Sequence, residues 1–255
     1  MSVRVAIAGA GGRMGRALLE AAGATEGISL AAALDVTPGA WNGIAIATDV
    51  AAALRGADVL VDFTRPAGTL AHARACREAG RAMVIGTTGM EPAQVEEIRA
   101  AATRIPIVMA PNMSIGVNVS LKLVELASRA LGPEYDIEVF EIHHNRKVDA
   151  PSGTALKLGE VAAAARGGSL ERDGVFARHG VTGERRTGSV GFAAARAGDI
   201  VGDHTVFFAG PGERVEVTHR SSSRATYAQG ALRAARWLAG KPAGLYDMQD
   251  VLGLR

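Results

Sequence analysis

A chain of 255 residues is long enough for two domains, or for one core carrying a second lobe, and buries enough surface to need neither disulfides nor a structural metal. Its single cysteine, Cys76, excludes an internal disulfide and a cysteine-clustered zinc site, and fits a buried thiol in a reducing compartment. With 28 Lys and Arg against 26 Asp and Glu the net charge is only +2, too balanced to grip a phosphate backbone, so nucleic acid is not an expected partner.

The start, MSVRVAIAGAGGRMG, puts Arg4 inside a strand-like run and shows no apolar stretch ahead of a small-residue cleavage site. No later window offers 18 uninterrupted apolar residues, so a cytoplasmic protein with no membrane partner is expected. Residues 3–8 read as a short buried strand, and 14–22 as a helix with Met14, Leu18 and Leu19 at helical spacing. A strand at 29–34 ends on Asp35, and a Pro/Gly loop follows. A helix at 49–54 capped by Thr48, a strand at 58–63, a helix at 64–79, a strand at 82–85, a helix at 92–103 and a strand at 106–109 complete the alternation. Strand and helix in strict alternation imply a mostly parallel sheet covered on both faces.

The pattern changes after Pro111. A long helix covers 114–131, a half-exposed strand 135–143 has Ile137, Val139, Phe140 and Ile142 apolar among acids, and a helix spans 154–165. Segments 188–208 and 214–221, broken by Gly-Asp and Pro-Gly turns, read as antiparallel meanders. Arg178 to Gly180 and Thr182 to Arg185 read as a mobile basic loop, and a last helix covers 226–239. The expected architecture is α/β: a Rossmann-type dinucleotide-binding domain at 1–112, completed by about 226–255, and a second α+β domain at 113–225 with a mixed or antiparallel sheet.

The segment Gly9-Ala10-Gly11-Gly12-Arg13-Met14-Gly15 follows a strand and opens a helix, where bare amides can meet a pyrophosphate. The dinucleotide fingerprint places its third glycine at Met14, whereas here it comes one residue later, at Gly15. No Lys-Ser or Lys-Thr follows, which excludes a Walker A loop. Asp35 stands where a carboxylate accepts from a ribose 2′-hydroxyl; the bland alternative is a tight turn with Asp35 capping its strand. Asp62-Phe63-Thr64-Arg65-Pro66, Gly86-Thr87-Thr88-Gly89 and Ala110-Pro111-Asn112-Met113-Ser114 follow further strands on the same edge, although Thr87 and Thr88 read equally well as turn hydroxyls capping the next helix.

In the second domain, Glu141-Ile142-His143-His144-Asn145-Arg146-Lys147-Val148-Asp149-Ala150-Pro151-Ser152-Gly153-Thr154 is the most polar stretch. His143 and His144 at a strand end should point to opposite sides, and no third ligand has suitable spacing, so no metal is expected. Histidine can donate a proton at neutral pH, and an adjacent ammonium can hold a carboxylate and stabilise developing charge. Gly153 and Thr154 open a helix whose first amides favour an anion, which points to a small carboxylate substrate. A solvated charge cluster is the alternative. His204 and His219, inside strand-like runs, read as satisfied structural histidines.

From VAIAGAGGRMGR through DFTRPAG, IGTTG, APNMSIGVN and EIHHNRKVDAPSGTAL to RAGDIVGDHTVFFAGPGERVEVTHRSSSR, the chain resembles the bacterial dihydrodipicolinate reductase family, also called 4-hydroxy-tetrahydrodipicolinate reductase. The resemblance implies reduction of a cyclic dicarboxylate by NADH or NADPH in lysine and diaminopimelate biosynthesis, and a homotetramer built through the second domain. It implies His143 as proton donor, Lys147 as catalytic lysine, and His144, Lys147, Gly153 and Thr154 as carboxylate contacts. It places the nucleotide on Gly9, Gly12, Arg13, Met14, Asp35, Gly86, Thr87, Thr88, Ala110, Pro111, Asn112 and Met113. Many members follow the strand-end acid with arginine, but here Val36 and Thr37 follow, so NADH is expected to be preferred with NADPH still usable. A different dehydrogenase acting on a small amino-dicarboxylate, or a redox-sensing module that holds NADH without turnover, would not need the His-His-x-x-Lys and Pro-Ser-Gly-Thr segments.

Overall fold

The computed structural model describes residues 2–255. The chain divides into two compact units, Met1–Ile115 with Arg224–Arg255, and Gly116–Ser223. In chain order the first unit runs β1 (Val3–Ala8), α1 (Arg13–Ala24), β2 (Ile28–Leu34), β3 (Gly39–Trp41), β4 (Ile44–Ala47), α2 (Val50–Gly56), β5 (Val59–Asp62), α3 (Pro66–Ala79), β6 (Ala82–Ile85), α4 (Pro92–Ala102) and β7 (Pro106–Met109). The second contains α5 (Ile115–Leu131), β8 (Asp136–His143), α6 (Gly153–Ala165), α7 (Leu170–Asp173), β9 (Gly174–Val175), β10 (Val190–Arg196), β11 (Gly202–Gly210) and β12 (Glu213–Ser221). The chain then returns to the first unit as α8 (Ala225–Leu238), β13 (Gly244–Tyr246) and α9 (Met248–Leu252).

The first unit is an eight-stranded sheet in the order β13-β7-β6-β5-β1-β2-β4-β3. All its pairs are parallel except β3–β4. Its strands are short apolar runs because both faces are covered. Val5, Ile7, Val59, Val61 and Val84 join a core with α1 and α8, while Ala6, Leu60, Met83 and Ile85 join α2, α3 and α4 on the other side. Cys76 lies in that second core, and burial, then the Asp62 charge, pushes its thiol up to about 12, which makes it an unreactive packing residue. Among the described residues no helix is long and apolar enough to cross a membrane.

The Pro/Gly loop after β2 is in fact a hairpin. Trp41 pairs with Ile44 across Asn42 and Gly43, both at positive φ, which is the Asn-Gly turn that matches strand twist. Asp49, not Thr48, caps α2: its carboxylate accepts from the Ala52 amide at 2.9 Å, because the helix begins one residue later than the pattern suggests.

The second unit is a five-stranded sheet in the order β12-β11-β8-β10-β9. The antiparallel meander expected over 188–221 holds only for β11 and β12. β10 does not pair with β11 but runs parallel to β8, which separates them. The physical reason is the long crossover through α6, which lets β10 return beside β8 in the same direction. Helices cover one face only: Ile137, Val139, Val190, Phe192, Val206 and Phe208 pack on residues of α5 and α6. Phe140 and Val215 are each 40% exposed. The basic loop of 178–185 is pinned, since Arg178 and Arg185 both donate to the Glu138 carboxylate and Arg185 also binds Asp136 and three backbone carbonyls.

Candidate active site

In the first unit the register brings the loops to one edge. Ala8 pairs with Leu34 and with Asp62, Asp62 pairs with Ile85, and Ile85 pairs with Met109, so Gly9, Asp35, Phe63, Gly86 and Ala110 all leave parallel strands at the same level. Strand order reverses around β1, and ligands of open α/β sheets collect at such a point, outside the carboxyl ends.

The late third glycine has a structural reason. A Cβ at Gly15 would lie 2.0 Å from the Gly9 carbonyl oxygen, so the close approach of helix to strand falls on Gly15 and not on position 14. Met14 packs partly buried against the core. Gly9 itself has φ +79°. The Gly11 amide donates to Asp35 Oδ2 at 2.8 Å, and the Val36 amide donates to Oδ1 at 2.7 Å, which fixes the carboxylate against the loop. Gly11 and Gly12 are exposed and α1 opens on exposed Arg13, so bare backbone, a helix start and a held carboxylate adjoin. These residues fit a nicotinamide dinucleotide: amides for its pyrophosphate, and the remaining Asp35 lone pairs for a ribose hydroxyl.

A polar network in these loops left only a faint signal in the sequence. Asp62 is fully buried at the end of β5, and its Oδ1 accepts from the Thr64 amide and from the hydroxyls of Thr64, Thr69 and Thr87, while Oδ2 lies 2.5 Å from His72 Nδ1. Burial alone would raise this carboxyl, but His72 and Thr64 together outweigh burial and hold it below the usual range. Thr87 is therefore committed to Asp62 and caps nothing in α4, whose N-cap is Glu91; Thr88 is exposed. A Cβ at Gly86 would lie 2.2 Å from the Phe63 ring, so only glycine lets the two loops close on each other. Ala110 and Met113 are buried, Pro111 is exposed, and Asn112 accepts from the Ser114 amide at 2.9 Å.

In the second unit the alternation of β8 turns Ile137, Val139, Glu141 and His143 to the buried face and leaves Phe140 outward. Glu141 was not singled out by the sequence, yet it is fully buried and lies at the centre of the site. It accepts from Arg196 Nη1 and Nη2 at 2.8 Å each and from the Ser152 amide at 3.1 Å, and its Oε2 is 2.5 Å from His143 Nδ1. Burial pushes its carboxyl up, but Arg196 and then His143 overcome this and keep it below the usual range.

His144 is the first residue beyond β8, and its carbonyl accepts from the Lys147 amide at 3.1 Å to form the turn that presents Lys147. Lys147 Nζ is held by both Asp149 oxygens at 2.8 Å. Ser152 caps α6 by accepting from the Ala155 amide, and it also bonds His204 Nε2 at 3.0 Å. Gly153 is the exposed first residue of α6 with open space around it, and Thr154 follows half-buried. First-turn amides have no acceptor within their own helix, so this end favours an anion.

His204 and His219 depart from the expectation of satisfied histidines, since Nδ1 of each is buried without a hydrogen-bond partner among the described residues. Burial, then the charge of His143, drives His204 down to about 4, so it is a neutral wall beside His143. Among the described residues no three His, Cys, Asp or Glu side chains gather to hold a metal ion.

A glycine loop and held carboxylate at the switch point of a parallel sheet, in one chain with this acid–base cluster, define an NAD(P)H-dependent reductase. The family model for the N-terminus of dihydrodipicolinate reductase matches residues 3–113, and that for its C-terminus matches residues 116–252. The chain belongs to the dihydrodipicolinate reductase family and carries out its NAD(P)H-dependent reduction in lysine and diaminopimelate biosynthesis. It is 58% identical to the 4-hydroxy-tetrahydrodipicolinate reductase of Thiobacillus denitrificans, over 100% of both chains. It is 56% identical to that of Aromatoleum aromaticum, over 100% of this chain and 97% of the relative. The solved dipicolinate-bound dihydrodipicolinate reductase of Paenisporosarcina sp. TG-14 superposes with a TM-score of 0.80 at 24% identity, covering 98% of this chain and 99% of that one.

Proposed function

We propose that His143 is the proton donor of the reduction, that Lys147, His144, Gly153 and Thr154 hold the carboxylates of a cyclic dicarboxylate, and that NADH is the preferred reductant. The reading rests on one observation: a buried histidine, a presented lysine and the start of α6 converge within a single unit, with His204 in electrostatic reach of both His143 and Lys147. The Paenisporosarcina relative is bound to dipicolinate, which carries two carboxylates, and the site here offers a cation and helix amides suited to such a molecule.

The dinucleotide, when bound, supplies the hydride. The chain's own residues do the rest. Lys147 and the α6 amides orient the dicarboxylate and offset the negative charge that grows on the ring, and His143 delivers a proton from Nε2 to the neighbouring carbon. Gly9, Gly12, Arg13, Met14, Asp35, Gly86, Thr87, Thr88 and Ala110 to Met113 form or shape the nucleotide site. For Thr87 and Met113, both buried, the contribution comes through the backbone.

Cofactor preference follows from charge. Asp35 is a fixed carboxylate that accepts from a free 2′-hydroxyl and repels a 2′-phosphate, and Val36, 95% exposed, adds no cation. Arg13 at the head of α1 tempers the preference, so NADPH remains usable. Steady-state oxidation of both nucleotides with freshly generated substrate should give a higher kcat/KM for NADH, by less than about tenfold, and Arg13→Ala should hurt NADPH use more. A value for NADPH tenfold above that for NADH would overturn the charge argument, and no turnover of either would overturn the reading of the reaction.

Assembly is the remaining part of the proposal. The sheet of the second unit has helices on one face only, and a homotetramer covers the other, where Phe140 and Val215 are exposed. Sedimentation equilibrium should return a mass near four times 26.3 kDa, and a monomer at micromolar concentration would contradict it.

A further inference from the structure

We propose that Glu141 is the positioning residue for His143: its carboxylate, clamped by Arg196 and the Ser152 amide, keeps a hydrogen on Nδ1 and so makes Nε2 the nitrogen that delivers the proton. The inference rests on His143 being the donor.

A carboxylate on the buried face of a strand is costly unless donors surround it. Glu141 follows Ile137 and Val139 on that face, so packing alone would favour another aliphatic residue. What surrounds it instead is a complete set of donors. The Arg196 guanidinium meets both oxygens as a fork, and is itself held from behind by the carbonyls of Ala195 and Asp149 at 2.6 Å each. The Ser152 amide adds a third donor. A carboxylate engaged by three donors is acceptor-only, so at its 2.5 Å contact with His143 the ring must be the donor, through Nδ1.

On the other side of the ring, Gly202 of β11 faces Nε2. A Cβ at Gly202 would lie 2.7 Å from His143 Nε2, so only glycine leaves that nitrogen room. Glu141 on its own strand and His204 on β11 touch the ring; Arg196 on β10 binds Glu141, while His219 on β12 and Lys147, paired with Asp149 on the turn, lie in electrostatic reach of His204. Arg196 is neutralised by Glu141 and Lys147 by Asp149, and His204 stays uncharged, so Glu141 is the group whose removal changes the balance at the ring. The carboxylate fixes which ring nitrogen carries the hydrogen, and without it no partner selects Nε2 for delivery.

The test is Glu141→Gln, compared with His143→Gln and with the double variant. Glu141→Gln should lower kcat roughly tenfold with substrate KM and NADH affinity nearly unchanged, because the ring then loses the partner that fixes its tautomer and orientation. In the His143→Gln background the same change should cost nothing further, because Glu141 acts through the ring. A Glu141→Gln enzyme with wild-type kcat, alongside a crippled His143→Gln enzyme, would overturn the inference and leave the donor assignment standing. A fully active His143→Gln enzyme would overturn both. Should Glu141→Gln fail to fold, ¹⁵N spectra of histidine-labelled wild-type protein at alkaline pH decide: a neutral His143 with its hydrogen on Nδ1 is expected, and a hydrogen on Nε2 overturns the proposal.

Discussion

Exchanging His143 for glutamine should lower kcat by about 100-fold or more, roughly 2.7 kcal/mol of transition-state stabilisation, with nucleotide affinity nearly unchanged. Glutamine fits this test because its amide can still donate to Glu141, so the clamp formed with Arg196 and the Ser152 amide survives and the fold should hold. What disappears is a group that can carry and release a proton near neutral pH. The proposed nucleotide site, with the glycine loop and Asp35, belongs to the other unit and should bind NADH as before. Titration of NADH fluorescence checks affinity, and single-turnover kinetics checks chemistry. Wild-type turnover would remove His143 from the mechanism.

Lys147→Ala is expected to damage both binding and turnover, with kcat/KM falling about 1000-fold, because in the proposed mechanism one ammonium holds a carboxylate and offsets charge in the transition state. Asp149 sharpens this test. In the resting protein it pairs with Lys147, which holds the carboxyl of Asp149 below its usual range. Removing the lysine strips Asp149 of its bonded cation and leaves a negative charge at the proposed dicarboxylate site. The double variant Lys147→Ala, Asp149→Asn should therefore recover much of KM but little of kcat, separating repulsion in the ground state from lost stabilisation in the transition state. Recovery of kcat as well would confine Lys147 to holding substrate.

Much of the architecture was legible because apolar spacing is set by burial. Strands covered on both faces read as short continuous runs, and β1, β5, β6 and β7 fall where those runs lie. The glycine loop and Asp35 were legible for a related reason, since the close approach of a helix to a strand admits little but glycine. The same spacing could not distinguish partners. It shows that β10 is a strand, but not that β8 lies between it and β11, because pairing depends on the route of the crossover. It also missed the β3–β4 hairpin, whose Asn42-Gly43 turn was the available signal.

By itself, then, the amino-acid sequence determined the alternation of elements, the glycine loop, and the polar segment with His143, His144 and Lys147, because each is a local property of residue type and spacing. Tertiary structure alone decided what the acids do. Along β8 the sequence places Asp136, Glu138 and Glu141 among apolar residues, and nothing local marks one as different. Glu141 is buried beside His143 because Arg196, 55 residues away, arrives on a parallel neighbouring strand with the donors a buried carboxylate requires, while Glu138 meets Arg178 and Arg185 nearer the surface. Asp62 likewise became the centre of a loop network only when Thr69, His72 and Thr87 folded onto it. Burying a charge is favourable only when distant donors converge on it, and that convergence is decided by the path of the chain.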